Sequence, residues 1–339
     1  MTVLIVTNEK CGMDRYSQEI AKRLDVQTIT ARRYLSLADT FKLVRCIRGQ
    51  GNIVHLPNQH FARYALFRNR PFIVTVHDLG RCCFHFDPET INEKILLNLD
   101  IRYIKRASHI IAVSQSTKSD LVRYLDIPEG KVSVIYNGVS RNLFKPRNMR
   151  LLDAPFILYV GSERRRKNLD KLFEAFASLR LDFPRLKLVK VGGPGRHKQF
   201  RNDTMKKLTG LGIIEHVIFV DYVSELDLTR YYSSAALLAY PSLYEGFGLP
   251  PLEAMACGCP VVTSNTSSLP EVVGKAGIMV NPNDMDSLAE AMGRVLTDDK
   301  LRDDMITKGL AQSRKFSWEK TADQTLQVYN KVENEYIMP

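Results

Sequence analysis

The segment ALLAYPSLYEGFGLPPLEAMACGCPVVT, Ala236 to Thr263, passes through a short apolar run, a glycine-containing bend, a helix-like stretch and a second apolar run. Runs such as ALLAY and PVVT, apolar almost throughout, read as strands covered on both faces, the condition of a parallel sheet. Gly246 and Gly248 permit backbone angles closed to other residues, and Pro250 and Pro251 suit the first turn of the helix LEAMACG. That reading puts Glu253 in the first turn and Glu245 just ahead of the bend. Glycines with free N–H groups beside a carboxylate can hold polyhydroxylated or anionic groups. Read blandly, Glu253 complements a helix dipole and Glu245 is a surface carboxylate, which leaves the glycines without a reason.

The same order of strand and helix recurs along the chain. VLIVT, IVHL, FIVTV, HIIAV and VSVIY are candidate strands in the first half, and FILYV, LKLVKV, VIFV, ALLAY and PVVT in the second. Between them RYSQEIAKRL, STKSDLVRYL, NLDKLFEAFASLR and DSLAEAMGRVL repeat apolar positions at three and four residues, as amphipathic helices do. The pattern predicts an α/β fold of two doubly wound Rossmann-like domains facing across a cleft. Its hydrophobic lapse from Asn137 to Pro155 divides a first domain, 1–147, from a second, 152–316. A last helix, 317–339, is expected to pack back toward the first.

With 339 residues, 45% hydrophobic and 25% charged, the composition is that of a globular protein. No apolar run is long enough to span a bilayer and the first residues do not read as a signal peptide, so a cytoplasmic location is expected. The six cysteines, Cys11, Cys46, Cys82, Cys83, Cys257 and Cys259, lack the spacing of a zinc site or a disulfide framework. Residues 1–150 hold 24 Lys and Arg against 13 Asp and Glu, a net of +11, whereas the remainder balances at 24 against 24. The basic half either faces something anionic, such as a membrane, a phosphorylated substrate or a nucleic acid, or is a solvated surface that aids solubility.

Other strand ends carry candidate ligand groups. After VLIVT, Gly12 lets the backbone approach a ligand, with Asp14 or Ser17 as the helix cap. A full G-x-G-x-x-G is absent, against a dinucleotide-binding dehydrogenase. His77 and Asp78 follow FIVTV, where a histidine can bond or take a proton from a hydroxyl. FILYV ends at Gly161, and Arg164, Arg165, Arg166 and Lys167 precede a helix begun by Asn168, a setting suited to a diphosphate. Gly192, Gly193 and Gly195 form a further turn, which cradles phosphate or is only tight.

These residues together resemble the retaining glycosyltransferases of the GT-B fold, glycosyltransferase family 4. Its E-x7-E signature stands here as Glu245 and Glu253 within YPSLYEGFGLPPLEAMACGCPVVTSNTSSLPEVVGKAGIMVNP. VHDL, AVSQSTKSDLVRYLDIPEGKVSVIYNGV, YVGSERRRKNLDKLFEAF and FSWEKTADQTLQVY are similar to other family segments. The resemblance implies that Glu245 and the backbone of Gly246, Phe247, Gly248 and Leu249 hold the donor sugar and phosphate, while Glu253 binds the ribose. It places His77 near the transferred sugar, Gly12 near the diphosphate or acceptor and Lys167 on the diphosphate, with His77 and Glu245 catalytic by position. Ser162 stands where many members carry Arg, so Arg166 or Arg164 supplies the missing charge. The first loop also lacks the double glycine common in the family.

The implied activity is transfer of a hexose from a GDP- or UDP-linked donor to a glycan or lipid-linked acceptor with retention, by front-face attack in which the leaving phosphate takes the acceptor's proton. The nucleotide sugar is then a substrate; no cofactor and no metal is expected, and Asp284 to Asp286, a D-x-D sequence, reads as a helix cap. A peripheral contact of the basic half with anionic membrane fits such an enzyme. The alternatives are a sugar-nucleotide epimerase of the same fold and a basic nucleic-acid-binding protein. The stretch HFARYALFRNRPF, His60 to Phe72, mixes aromatic and basic residues but is read as lining the acceptor side or touching lipid, with no nucleic acid expected.

Overall fold

A computed structural model describes residues 2–7, 12–31, 43–45, 47–49, 51–66, 68–84, 89–195 and 199–336. The chain divides into two units, Met1–Gly138 with Phe316–Pro339, and Val139–Lys315. Each is built on a six-stranded parallel sheet.

The sheet of the first unit is ordered β2-β1-β3-β4-β5-β6, from β1 (Thr2–Thr7), β2 (Gln27–Ala31), β3 (Ile53–Leu56), β4 (Phe72–Val76), β5 (His109–Ala112) and β6 (Val132–Val134). Its helices are α1 (Gly12–Ala21), α2 (Ile91–Arg106), α3 (Gln115–Leu125) and α11 (Trp318–Tyr336). Successive strand residues point to opposite faces, which sorts the core into two layers. Val54, Val74 and Ile110 pack with Tyr103 and Ile104 of α2 and Leu121 of α3. On the other face Ile53, Ile73 and Ile111 meet Val328, Tyr329 and Val332 of α11, and Leu4 and Val6 meet Tyr16 of α1 and Trp318.

A buried polar chain also ties α11 to this sheet. The Tyr329 hydroxyl lies 2.7 Å from His55 Nδ1, His55 Nε2 lies 2.8 Å from Thr75 Oγ1, and the Thr75 hydroxyl donates to Tyr16 at 3.0 Å. Since the single Thr75 proton goes to Tyr16, His55 Nε2 donates to Thr75 and its Nδ1 accepts from Tyr329. Tyr16 bonds Thr325, whose own hydroxyl donates to the Thr321 carbonyl, so the chain leaves α11 and returns to it. Burial pulls His55 down to about 3, so it is neutral.

The second unit is ordered β12-β11-β10-β7-β8-β9, from β7 (Phe156–Val160), β8 (Lys187–Val191), β9 (Val217–Val220), β10 (Leu237–Tyr240), β11 (Val261–Ser264) and β12 (Ile278–Val280). Its helices are α4 (Leu169–Asp182), α5 (Gln199–Gly210), α6 (Glu225–Ser234), α7 (Leu249–Ala256), α8 (Leu269–Val273), α9 (Met285–Thr297) and α10 (Asp299–Ser313). Residues 139–147 are held by this unit: the Phe144 ring packs 6.3 Å from Tyr232, and Arg147 donates through N to Ser233 Oγ and through Nε to Thr229 Oγ1.

The expected strands are present, and two are added. β2 and β12 lie at sheet edges; β2 is largely exposed and has no apolar run, and β12 is apolar but only three residues long. Asp284 caps α9, its side chain accepting from Ser287 N. Two readings are corrected. Asp14 and Ser17 lie inside α1 and do not cap it: Asp14 accepts from the Thr7 hydroxyl, and Ser17 accepts from Thr7 N at 3.1 Å. The aromatic and basic stretch 60–72 turns largely inward. Phe61, Arg68 and Phe72 are buried, Arg63 grips buried Asp100, and Arg68 donates to the carbonyls of Ile47, Asn52 and Pro71.

Candidate active site

In the second unit the strand order reverses between β7 and β10, neighbours joined by Leu237 beside Ile157 and Leu238 beside Leu158. Such a switch point opens a crevice at the carboxyl ends of the strands, because the connections leave it on opposite sides. The segments leaving those two strands carry most of the residues singled out above.

After β7 the chain turns at Gly161, φ +155°, passes Ser162 and Glu163, makes a helical turn at Arg165–Lys167 and enters α4 at Asn168, φ +57°. The turn packs against the next one: a Cβ on Gly192, φ +115°, would lie 2.7 Å from the Gly161 carbonyl oxygen. Both turns therefore need glycine. Asn168 has no side-chain cap to offer α4; its Nδ2 instead donates to the carbonyls of Pro241 and Pro282, tying the β7 exit to the segment after β10.

After β10, Tyr244 to Gly248 bend into α7, which starts at Leu249 without any side-chain cap. The bend is held from the β11 exit. Glu245 N donates to Ser267 Oγ at 2.9 Å, and Ser268 Oγ donates to the carbonyls of Glu245 and Phe247. Among the described residues, these serines and Asn168 are positioning groups that no sequence pattern announced.

The two exits meet through side chains. Lys167 Nζ lies 2.5 Å from Glu245 Oε1 and donates to the Tyr240 hydroxyl at 2.7 Å, while Arg166 Nη1 donates to Glu245 Oε2 at 3.0 Å and to the Tyr244 carbonyl at 2.8 Å. Glu245 is thus buried between two cations, not a surface carboxylate. Burial opposes its ionisation, but the charges of Lys167 and Arg166 outweigh it and hold the carboxyl at about 2. Burial draws Lys167 down to about 8, against the attraction of Glu245. All three groups are charged at neutral pH. Of Arg164 and Arg166, Arg166 is the one that joins Lys167 on Glu245; the Ser162 carbonyl accepts from the Tyr159 hydroxyl.

Glu253 stands apart from this cluster. It is the fifth residue of α7 and so lies beyond the first turn in which the sequence placed it, and its Oε2 accepts from the Tyr232 hydroxyl at 3.0 Å. A helix-dipole role needs a first-turn position, so burial against Tyr232 is what the fold gives it.

Below the Gly192 turn lies a charged group that sequence patterns missed. Lys190, in β8, one strand in from the sheet edge, is fully buried and donates to Glu163 at 2.8 Å and to the carbonyls of Gly192 and Gly193; Arg201 joins Glu163 to Asp221. The lysine in KLVKV carries no local signal of this role. Only its three-dimensional partners explain it.

In the first unit the strand order reverses between β1 and β3. Residues 8–11 of the loop leaving β1 lie outside the described residues, and Gly12 is the first residue of α1. His77 follows β4 and is buried, with its Nε2 donating to the Pro57 carbonyl at 2.8 Å and its backbone N to Gln59. That bond puts the proton on Nε2 and leaves Nδ1 as the acceptor. Burial lowers His77 to about 4 despite the Pro57 carbonyl and the nearby Asp78, so the ring is neutral. Asp78 accepts from Gly80 N and shapes the turn. Cys257 and Cys259 are buried free thiols. Among the described residues no group of three metal-ligating side chains is present, and no helix is long and apolar enough to cross a membrane.

Two parallel sheets, each with a reversal of strand order, and strand exits carrying glycine turns, paired cations and an uncapped helix define a pair of Rossmann-like units. Residues 140–312 match the glycosyl transferases group 1 family and residues 2–143 match Glycosyltransferase Family 4. The chain belongs to this family and is a glycosyltransferase of GT-B type. It is 32% identical over 298 residues to the O-antigen chain mannosyltransferase B of Escherichia coli, covering 82% of this chain and 74% of that one. It is also 34% identical over 232 residues to the serotype-specific mannosyltransferase WbdA of E. coli, covering 64% of this chain but spanning only 28% of that protein. Among solved structures it is similar to sucrose-phosphate synthase from Thermosynechococcus elongatus, with TM-score 0.80, 23% identity and 98% of each chain covered. Anabaena HepE in complex with UDP and glucose is similar at TM-score 0.81 and 19% identity, with 97% of this chain and 99% of that one covered. Likeness at this identity speaks for the fold.

Proposed function

We propose that the chain moves a hexose, mannose before glucose, from a GDP- or UDP-linked donor to a hydroxyl of a glycan or lipid-linked acceptor, with retention of configuration. The observation that carries the reading is the Arg166–Glu245–Lys167 cluster at the switch point of the second unit. The mannosyltransferase names of the relatives favour mannose and a polysaccharide acceptor, and the UDP and UDP-glucose complexes of HepE favour a nucleoside diphosphate sugar.

In this reading the diphosphate sits between the Gly161 turn and the first turn of α7. The N–H groups there lack intrahelical partners, and the helix end attracts negative charge. Lys167 and Arg166, prepositioned by Glu245, share their charge with the departing diphosphate, which then needs no metal. Glu245, ionised and engaged by two cations, orients them and the sugar hydroxyls and is not a nucleophile. Glu253 holds the ribose. The acceptor oxygen bonds to the anomeric carbon on the face from which the diphosphate leaves, the bond from that carbon to the diphosphate oxygen breaks, and the acceptor's proton passes to the diphosphate. His77, neutral with an acceptor nitrogen at Nδ1, receives a hydrogen bond from a sugar hydroxyl.

The test is incubation with GDP-mannose, UDP-glucose and short oligosaccharide acceptors, with proton NMR of the product's anomeric signal. A product with the donor's configuration supports the reading. An inverted product, or release of an altered nucleotide sugar without an acceptor, refutes it.

A further inference from the structure

His77 and Asp78, at the exit of β4, are bracketed by one buried side chain from the exit of β3. Gln59, 3% exposed, accepts from His77 N through Oε1 and donates through Nε2 to the Asp78 carbonyl, each at 3.1 Å. A backbone N–H only donates and a carbonyl only accepts, so these partners fix which end of the carboxamide is which. Both ends are used, and neither bond goes to anything but the two residues at the strand exit.

The base from which Gln59 reaches is itself fixed. It opens the helical turn Gln59–Ala65, in which Asn58 accepts from His60 N at 2.9 Å and Arg63 donates to buried Asp100 at 2.8 Å. Two residues earlier the Pro57 carbonyl takes the Nε2 proton of His77 at 2.8 Å, and the Tyr16 ring stands edge-on to the imidazole with centroids 5.2 Å apart. Residues 57–59 therefore hold His77 by its ring and by its backbone together. A backbone shift at His77 would draw Nε2 off Pro57 and carry Nδ1 with it.

The amide also suits the charge around the ring. Asp78 and Asp14 favour the imidazolium, whereas burial and His60 oppose it, and the ring stays neutral. A carboxylate at position 59 would add to the pull of the two acids and favour the charged ring, whose Nδ1 donates instead of accepting. Glutamine makes both bonds without adding a charge.

We propose that Gln59 is a positioning residue for sugar transfer: by bracketing His77 and Asp78 it keeps the imidazole on the Pro57 carbonyl, so that Nδ1 stays an acceptor for a sugar hydroxyl. What His77 accepts rests on the transfer reading above; where Gln59 holds it does not.

The experiment compares the full-length chain with Gln59→Met, close in length but unable to make either bond, with His77→Ala, and with the double variant. Using whichever of GDP-mannose and UDP-glucose the unaltered chain transfers, Gln59→Met is expected to lower kcat by about 10–100-fold with little change in KM. In the His77→Ala background the same substitution is expected to cost less than about twofold, because the ring it acts through is gone. Gln59→Glu, which retains the bond from His77 N and serves where Gln59→Met does not fold, is expected to lose kcat on the acid side at a higher pH than the unaltered chain does. Proton NMR reads the positioning without turnover: the His77 Nε2 proton, assigned by its absence in His77→Ala, should be resolved in the unaltered chain and broadened in Gln59→Met and Gln59→Glu. An equal loss in both backgrounds, an unchanged kcat, or an Nε2 proton signal that neither variant alters would overturn the proposal. Absence of transfer by the unaltered chain would refute the transfer reading alone, and the proton signal would then decide this one.

Discussion

Lys167 Nζ and Glu245 Oε1, 78 residues apart in sequence, lie 2.5 Å apart where β7 and β10 diverge. Removing one member of a buried ion pair costs about 3–5 kcal/mol, and Arg166, 3.0 Å from Glu245, keeps the loss at the lower end. Lys167→Met should cost stability in that range by urea denaturation, and Lys167→Met/Glu245→Gln should recover part of it. Glu245 is held at about 2 against an ordinary 4.5, a lowered carboxylate. Its contribution is therefore complete above about 4.5 and lost as pH falls toward 2. A denaturation series over that window should show a steeper loss in the unaltered chain than in Glu245→Gln, which keeps the histidine contribution alone.

Gly192→Ala tests the two packed turns. Its Cβ would sit 2.7 Å from the Gly161 carbonyl oxygen at φ +115°, so backbone must move. We expect a loss above about 1 kcal/mol in stability and about tenfold or more in nucleotide affinity, read by calorimetry. Unchanged affinity would mean that the turns do not shape the donor site.

The two histidines of the first unit make an acid-sensitive pair. Burial lowers His55 to about 3 and His77 to about 4 from 6.5. As pH falls below about 6.5 the unfolded chain takes up protons that the folded chain refuses, so stability declines by about 1.4 kcal/mol per pH unit for each histidine until the folded value is reached. Chemical denaturation between pH 7 and pH 4 should show this slope, and His77→Gln should reduce it.

Tyr329→Phe should break the polar chain that leaves and rejoins α11. His55 Nδ1 would lose its donor at 2.7 Å within a fully buried site, an expected cost of about 1–3 kcal/mol. Hydrogen exchange should show the loss first in α11 amides. Unchanged protection there would mean that apolar contacts alone secure the helix.

How much of this was legible follows from where each residue's partners lie. Central strands such as FIVTV and ALLAY declared themselves because both faces are buried, whereas β2, QTITA, is mostly exposed and β12, IMV, is only three residues long. Glu245, Lys167 and the glycines were visible as local groups at strand ends, since a doubly wound fold places ligands there. Their pairing was not, because 78 residues separate them. Lys190 and Glu163 were invisible for the same reason, and Arg63 misled because its carboxylate partner, Asp100, comes 37 residues later.

The most direct test of the donor site is calorimetric titration of GDP, UDP and their hexose conjugates into the unaltered chain, Lys167→Met and Glu253→Ala. The account expects one base to bind clearly, Lys167→Met to weaken its diphosphate and sugar forms by about 10–100-fold, as loss of a charge-assisted contact does, and Glu253→Ala to weaken every form with the ribose. Binding of the same nucleotide at full strength by both folded variants would contradict it.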